Sequence, residues 1–203
     1  MPGNFKLLLF DLGKVILPFD IRLATRAFEK ASPLSSEEIV RAVMGTPLDW
    51  DFEKGKLSPK AFYEEVKRRT SLRMPYDPFV AHWNNIFSEN RKVSELVRNL
   101  KKRYRIATIS NTNILHFEHT QRTFPIVREV GEFILSYQVG FRKPEPEIFE
   151  IALKRYNTTP SETLYIDDRK DFVEEAERLG FKGLHFRGEE QLKADLTVLG
   201  LAF

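Results

Sequence analysis

The sequence predicts an α/β fold, in which a parallel sheet has helices on both faces and carries an inserted, all-helical subdomain. Three observations predict it. An uninterrupted apolar run, Leu7–Phe10, stops at a carboxylate, as a buried parallel strand would. Residues 18–90 carry helix start signals and little strand pattern, whereas residues 91–203 alternate between helix and strand patterns. We therefore predict a core formed by residues 1–17 and 91–203, with residues 18–90 as a helical cap.

Composition limits the possible function classes. With 203 residues, 42% of them hydrophobic and 30% charged, the chain is long enough for one sizeable core with an insertion. It contains no cysteine, which excludes disulfides and thiolate metal sites. Basic and acidic residues are interleaved at a net charge of +3, so no nucleic-acid partner is expected. Because there is no secretory signal and no apolar run of about 18 residues, we expect a cytoplasmic protein without a membrane partner. The sequence leaves the oligomeric state open.

The first predicted strand carries the first candidate catalytic residue. Leu7–Phe10 shows no polar alternation, which favours a central strand over a half-exposed edge strand. Asp11 follows it directly, and a loop containing Gly13 comes next. In parallel sheets the chemistry lies beyond the carboxyl ends of the strands, so Asp11 stands where a reactive carboxylate is expected. A simple turn cap is the alternative for this aspartate alone.

The insertion after this strand is marked by helix start signals. They are an aspartate, a capping box and three cap residues that each precede a proline: Asp20, Ser35-Ser36-Glu37-Glu38, Thr46-Pro47, Ser58-Pro59 and Asp77-Pro78. Gly45 and Gly55 are expected to end helices. A helical insertion directly after a reactive loop is typical of a lid over an active site. Its glycine-bearing turn, residues 52–58, is the part that we expect to face a substrate.

A second polar strand end follows the insertion. The pattern predicts a helix over Ser94–Arg103 and a strand over Tyr104–Ile109, which ends in Ser110-Asn111-Thr112-Asn113. A helix starting after Asn113 would leave free backbone N–H groups near the Ser110 hydroxyl, an arrangement that suits a phosphate. An ordinary capped helix start is the alternative.

Two further strands are predicted to end near charged residues. The strand over residues 132–136 leads to Lys143, whose backbone is stiffened by the prolines that follow it at the start of a helix. The strand over residues 163–166 stops at Asp167-Asp168, and adjacent carboxylates repel each other unless a cation lies beside them. With Asp11 at a neighbouring strand end, the natural cation is Mg²⁺, which takes oxygen ligands. A fifth strand over residues 181–186 and a helix over residues 189–199 complete the prediction.

Four polar strand ends in this order resemble the four motifs of the haloacid dehalogenase superfamily. They are Phe10-Asp11-Leu12-Gly13-Lys14-Val15, Ser110-Asn111-Thr112-Asn113, Arg142-Lys143-Pro144-Glu145 and Ile166-Asp167-Asp168. The resemblance spans the whole chain and implies a Rossmann-like sheet with the Asp11 strand at its centre. Within the superfamily, the helical insertion and the first two motifs are most similar to bacterial sugar-phosphate phosphatases that hydrolyse α-D-glucose 1-phosphate.

The resemblance implies a Mg²⁺-dependent phosphatase that acts on a small phosphorylated metabolite, such as a sugar phosphate. Asp11 would be the nucleophile that forms an aspartyl-phosphate, and Lys143 would neutralise the charge of Asp11 and the phosphate. The phosphate would be bound by Ser110, the backbone N–H of Asn111 and the loop at Gly13.

The same resemblance implies the metal ligands. Mg²⁺ would be held by the Asp11 carboxylate, the backbone carbonyl of Gly13 and the Asp168 carboxylate. Asp167 would help through a water molecule.

Two positions depart from the family pattern. Most phosphatases of the superfamily have a second aspartate, acting as general acid and base, where this chain has Gly13. The proton would then come from water or from a cap residue, of which the candidates are Asp49, Asp51 and Glu53. Phe172 stands where the fourth motif often has Asp or Asn, and Asp171 comes one place early. The four histidines are scattered, and we assign them no catalytic role.

Two other interpretations stay open. Haloacid dehalogenases hydrolyse at carbon and also lack the second aspartate, but they need no metal, and Asp167-Asp168 would then concentrate negative charge at a high cost. A non-catalytic protein that binds a phosphorylated ligand is the other interpretation. A phosphomutase is less favoured, because it needs the missing acid and base.

Overall fold

The sheet has the predicted architecture. The computed structural model describes residues 5–203, and its strands are β1 Leu7–Phe10, β2 Arg105–Ser110, β3 Phe133–Leu135, β4 Thr163–Asp167 and β5 Lys182–His185. All neighbouring strands are parallel, in the order β3-β2-β1-β4-β5. The α/β fold class and the central position of the first strand are therefore confirmed.

Twelve α-helices surround and interrupt this sheet in the described part of the chain. Five lie between β1 and β2: α1 Arg22–Glu29, α2 Ser36–Val43, α3 Pro47–Glu53, α4 Pro59–Thr70 and α5 Tyr76–Asn84. The others are α6 Arg91–Lys101, α7 Ile114–Thr123, α8 Pro125–Val130, α9 Ser136–Val139, α10 Pro146–Tyr156, α11 Lys170–Arg178 and α12 Glu189–Val198. None of the helices between residues 5 and 203 combines the length and hydrophobicity that a membrane span requires.

The central strand is buried on both faces because each face of the sheet has its own hydrophobic cluster. Side chains alternate along a strand, so Leu8 and Phe10 enter one cluster, with residues of α6, α8 and α12. Leu7 and Leu9 enter the other, with residues of α10 and α11. All four side chains are buried, which explains why the strand reads as a continuous apolar run.

A third hydrophobic cluster lies within the inserted helices. Its largest members are aromatic, among them Phe28, Phe52, Phe62, Phe79 and Trp83. The rings of Phe52 and Phe62 stack with their centroids 4.1 Å apart. A separate core supports the predicted division into residues 1–17 with 91–203 and residues 18–90, although the boundaries themselves stay a prediction.

Two predicted helix starts are wrong. α6 begins at Arg91 instead of Ser94, because the Asn90 side chain accepts a hydrogen bond from the N–H of Val93 at 3.3 Å. α5 begins at Tyr76, so that Asp77-Pro78 lies inside its first turn, where a proline costs no helical hydrogen bond. The capping box at Ser35 and Glu38 is present.

The carboxyl edge of the sheet brings the predicted site residues together. Phe10 lies beside Thr108 of β2 and Ile166 of β4. The N–H of Asp11 continues the ladder by donating to the Ile166 carbonyl at 2.8 Å. Because the strands are parallel and in this register, Asp11, the end of β2 and the end of β4 share one edge.

Candidate active site

A buried lysine lies between two buried aspartates at this edge. The Nζ atom of Lys143 is 2.8 Å from Oδ1 of Asp11 and 2.6 Å from Oδ2 of Asp167. The Lys143 side chain is only 1% exposed, although lysine is seldom buried without a partner. The first, third and fourth sequence motifs therefore meet in one ionic cluster.

The second motif holds the lysine backbone in place. The Nδ2 group of Asn111 donates to the Lys143 carbonyl at 2.9 Å, and the N–H of Lys143 donates to Oδ1 of Asn111 at 2.7 Å. One amide side chain thus fixes the peptide groups on both sides of Lys143. This positioning role was not predicted, and the predicted contact of the Asn111 backbone N–H with phosphate stays a prediction.

Ser110 and the start of α7 lie beside this cluster. Ser110 is buried and lines the same cleft as Asp11. The Asn113 side chain caps α7 by accepting from the N–H of His116 at 3.1 Å. The capped helix start that the sequence left as an alternative is therefore present, and the phosphate role of Ser110 remains untested.

Asp167 has protein partners at both carboxylate oxygens. Its Oδ2 accepts from Lys143 and from the hydroxyl of the buried Tyr165, and its Oδ1 accepts from the N–H of Arg169 at 2.8 Å. Asp167 thus orients Lys143, while Asp168 next to it is half-buried. The carboxylate oxygens of Asp11, Asp167 and Asp168 lie within 4.8 Å of one another.

The electrostatics of this cluster favour an added cation. Burial raises the pKa of Asp11 to about 7, with Asp167 and Asp168 raising it further and Lys143 opposing them. Burial also raises the pKa of Asp168, to which Asp167 adds. Burial alone would lower the pKa of Lys143, but the two aspartates that it contacts raise it above its ordinary value. Three carboxylates therefore share a single ammonium group.

The donor set of the cluster fits Mg²⁺, which prefers carboxylate and carbonyl oxygens. Asp11 and Asp168 offer carboxylate oxygens. The Gly13 carbonyl accepts from the N–H of Val15 at 2.7 Å, which leaves its second lone pair available. Asp171 does not join them: it pairs with Arg169 and is largely exposed, while Phe172 lines the cleft in its place.

Two connected cavities open at the cluster. The cleft over Asp11 has a volume of about 190 Å³ and is lined by charged residues of the core and by Glu53 of α3. A neighbouring cavity of about 80 Å³ lies between the inserted helices and the core, with mainly apolar walls. Residues that line both are Gly13, Phe19, Glu53, Ser110 and Asn111.

The turn at residues 52–58 contacts the core beside Lys143. Glu53 accepts from Arg142 at 2.9 Å, and Lys54 pairs with Glu145 at 2.5 Å. A β-carbon on Gly55 would stand 2.2 Å from the Tyr137 carbonyl oxygen, so the chain passes too closely there for any side chain. Of this turn, Glu53 is the residue that lines both cavities.

His116 lies at the contact between α7 and α5. Its Nε2 is 3.0 Å from the carbonyl of Trp83, and its Nδ1 is 3.1 Å from Nδ2 of Asn113. A carbonyl can only accept, so Nε2 carries the proton and Nδ1 accepts from the amide. Burial lowers the pKa of His116 to about 4, which keeps the ring neutral. This histidine connects the insertion to the core.

The comparison with known families decides the identity. A model of the haloacid dehalogenase-like hydrolases matches residues 5–180. The chain belongs to the haloacid dehalogenase-like hydrolases. The four motifs quoted from the sequence are therefore those of this hydrolase family, and the predicted membership is confirmed.

Relatives of this hydrolase cover nearly its whole length. It is 27% identical to a D-ribitol-5-phosphate phosphatase of Bacteroides thetaiotaomicron over 96% of this chain and 98% of the relative. A haloacid dehalogenase-like hydrolase of Porphyromonas gingivalis superimposes with a TM-score of 0.84 at 25% identity, over 98% of this chain and all of the other. A family enzyme of Bacteroides thetaiotaomicron, solved with magnesium and inorganic phosphate, gives a TM-score of 0.79 at 25% identity, over 89% and 93%. The finer resemblance to glucose 1-phosphate phosphatases stays a prediction.

Proposed function

We propose that this hydrolase is a Mg²⁺-dependent phosphatase that removes phosphate from a small phosphorylated metabolite through an aspartyl-phosphate. The observation that carries the proposal is the pairing of Lys143 with Asp11 and Asp167, next to Asp168 at the carboxyl edge of the sheet. The phosphatase activity named for one relative supports it, as does the magnesium and phosphate bound in a structural neighbour.

In this mechanism the Asp11 carboxylate attacks phosphorus and forms a new P–O bond, while the bond to the substrate's alcohol oxygen breaks. Lys143 holds Oδ1 of Asp11 and supplies positive charge beside the reacting atoms. Ser110 donates its hydroxyl proton to a phosphate oxygen. Water then attacks the phosphorus of the aspartyl-phosphate, which releases phosphate and restores the Asp11 carboxylate.

The bound metal would be held by Asp11, the Gly13 carbonyl and Asp168, with Asp167 contributing through water. When bound, Mg²⁺ supplies charge stabilisation for the phosphoryl oxygens. Phosphoryl transfer depends mostly on positioning and on such charge stabilisation, which suits a rigid cluster at a strand edge.

A screen of purified protein against phosphorylated metabolites tests the proposal, with phosphate release measured in Mg²⁺ and in EDTA. The panel contains alkyl, anomeric and acyl phosphates with two to six carbons, and Asp11→Asn is the control for background hydrolysis. We expect release that requires both Mg²⁺ and Asp11. Activity on 2-haloacids that persists in EDTA would establish dehalogenation instead. Tight binding of a phosphorylated ligand without any turnover would establish a binding protein.

A further inference from the structure

Glu53 is the carboxylate that the insertion presents to the cleft. It is the last residue of α3, and its side chain is 16% exposed. Its Oε2 accepts from both Nε and Nη2 of Arg142, each at 2.9 Å. In the described part of the chain Oε1 has no hydrogen-bond partner. One oxygen is therefore anchored and the other is free to exchange a proton.

The core side of the cleft cannot supply this proton. Gly13 stands where an acid would be expected, and the ring of Phe19 fills the space beside it. Of the cleft-lining residues described, Glu53 is the only carboxylate besides Asp11 and Asp168, which belong to the metal cluster.

The other two candidate acids of the insertion are placed differently. Asp51 is exposed and pairs with Lys56 at 2.9 Å. Asp49 is buried, and its Oδ2 accepts from the N–H of Gly45 at 2.9 Å. Asp49 lines the neighbouring cavity but not the cleft that contains Asp11. Position therefore singles out Glu53 among the three.

We propose that Glu53 is the general acid and base of this hydrolase and replaces the aspartate that is missing at Gly13. The proposal rests on the proposed phosphatase function. As the P–O bond breaks, its electron pair goes to the alcohol oxygen, and the Glu53 carboxyl group transfers its proton there. The resulting carboxylate then takes a proton from the water that attacks the aspartyl-phosphate, so that Glu53 ends the cycle protonated.

The surroundings of Glu53 suit this double role. Burial raises its pKa to about 7, and Asp49 on the same helix raises it further, while Arg142 and Lys143 oppose them. The remaining charged groups close by are the Lys54–Glu145 pair along the same contact and Lys14 and Arg169 across the cleft. A carboxyl group that titrates near neutral pH can both donate and accept a proton at the working pH.

Glu53→Gln tests the proposal through the dependence on the leaving group. We measure the burst of alcohol released in the first turnover from a series of phosphates whose alcohols differ in pKa. The wild type should show a shallow dependence, because the acid protonates poor leaving groups. In Glu53→Gln the dependence should become steep, with rates on alkyl phosphates falling by about 10²–10⁴ and rates on acyl phosphates changing little.

The pH profile gives an independent readout. On an alkyl phosphate the wild-type kcat/KM should fall above about pH 7, where Glu53 loses its proton, and this limb should be absent in Glu53→Gln. Glu53→Asp keeps a carboxyl group and should restore part of the shallow leaving-group dependence.

Glu145→Gln is the matched control for docking of the insertion. It removes the neighbouring Lys54–Glu145 bridge across the same contact and should leave the leaving-group dependence and the pH limb unchanged. If Glu53→Gln lowers all rates equally and keeps the pH limb, Glu53 only docks the insertion, and the proposal is wrong. Failure of the phosphatase function itself would be visible separately, because the wild type would release no phosphate from any substrate.

Discussion

The ring of Phe19 takes the place of a side chain at Gly13. Its Cε1 atom lies 3.1 Å from the point where a β-carbon on residue 13 would stand, and that point is 3.8 Å from Oδ2 of Asp11. Gly13 is not among the glycines with positive φ, so its backbone does not demand glycine. The obstacle to an acid at this position is therefore one ring at the mouth of the cleft.

This relationship predicts the outcome of restoring the aspartate. Gly13→Asp alone should destabilise the fold by about 1–3 kcal/mol, because the new side chain meets the Phe19 ring. Gly13→Asp combined with Phe19→Ala makes room for the carboxyl group beside Asp11. In a Glu53→Gln background, the pair of changes should raise turnover of alkyl phosphates at least about tenfold. Phe19→Ala alone is the control, and an equal gain in that variant would show that the added acid contributes nothing.

Much of the site could be predicted because parallel topology brings strand ends together. Asp11, Ser110 and Asp167 each follow an apolar strand, so their convergence needs only the order of the strands. Glu53 and Arg142 are 89 residues apart, and their contact depends on how the insertion packs on the core. No periodicity in the sequence encodes that packing, and for the same reason the positions of Phe19 and His116 were not predicted.

Local signals were also limited where they have several structural solutions. Asp77-Pro78 indicated a helix start correctly, but a proline fits any position in the first turn, so the pattern could not fix the boundary. Tyr165 was read only as a strand residue, since its hydroxyl contact with Asp167 depends on both side chains lying on the same face of β4.

Asn111→Ala should lower kcat more than it changes KM. The substitution removes both hydrogen bonds that hold the Lys143 backbone but spares the Asn111 backbone N–H that we expect to contact phosphate. Loss of these bonds should also reduce the free energy of unfolding by about 1–3 kcal/mol. Steady-state kinetics and urea denaturation check both effects. Asn99→Ala is the control, because it removes an exposed hydrogen bond to Lys102 on α6. A larger change in KM than in kcat would contradict the positioning role.

Asp168→Ala should weaken Mg²⁺ binding by more than about tenfold, because one of few protein ligands is lost. The Mg²⁺ dependence of kcat/KM and calorimetric titration with Mg²⁺ both measure this affinity. Asp171→Ala is the matched control: this carboxylate is three residues away but pairs with Arg169 outside the cluster. Its Mg²⁺ affinity should equal that of the wild type. Equal weakening in both variants would place the metal site elsewhere.

His116 should make the stability of the protein depend on pH. Its pKa is about 4 in the folded chain and about 6.5 when unfolded, so the unfolded state binds the proton first as the pH falls. The stabilisation is complete above pH 6.5 and is lost between pH 6.5 and pH 4. Between pH 7 and pH 5 the loss should be on the order of 1–2 kcal/mol.

The difference between the wild type and His116→Gln isolates this effect. The raised pKa values of Asp11 and Glu53 act in the opposite sense, because the folded state binds those protons more tightly as the pH falls below about 7. These groups are present in both proteins and cancel in the difference. We expect the unfolding free energies, measured in urea, to converge as the pH falls from 7 to 5. A constant difference over that range would mean that His116 is protonated in the folded protein, and its hydrogen bond from Asn113 to Nδ1 would then be assigned wrongly.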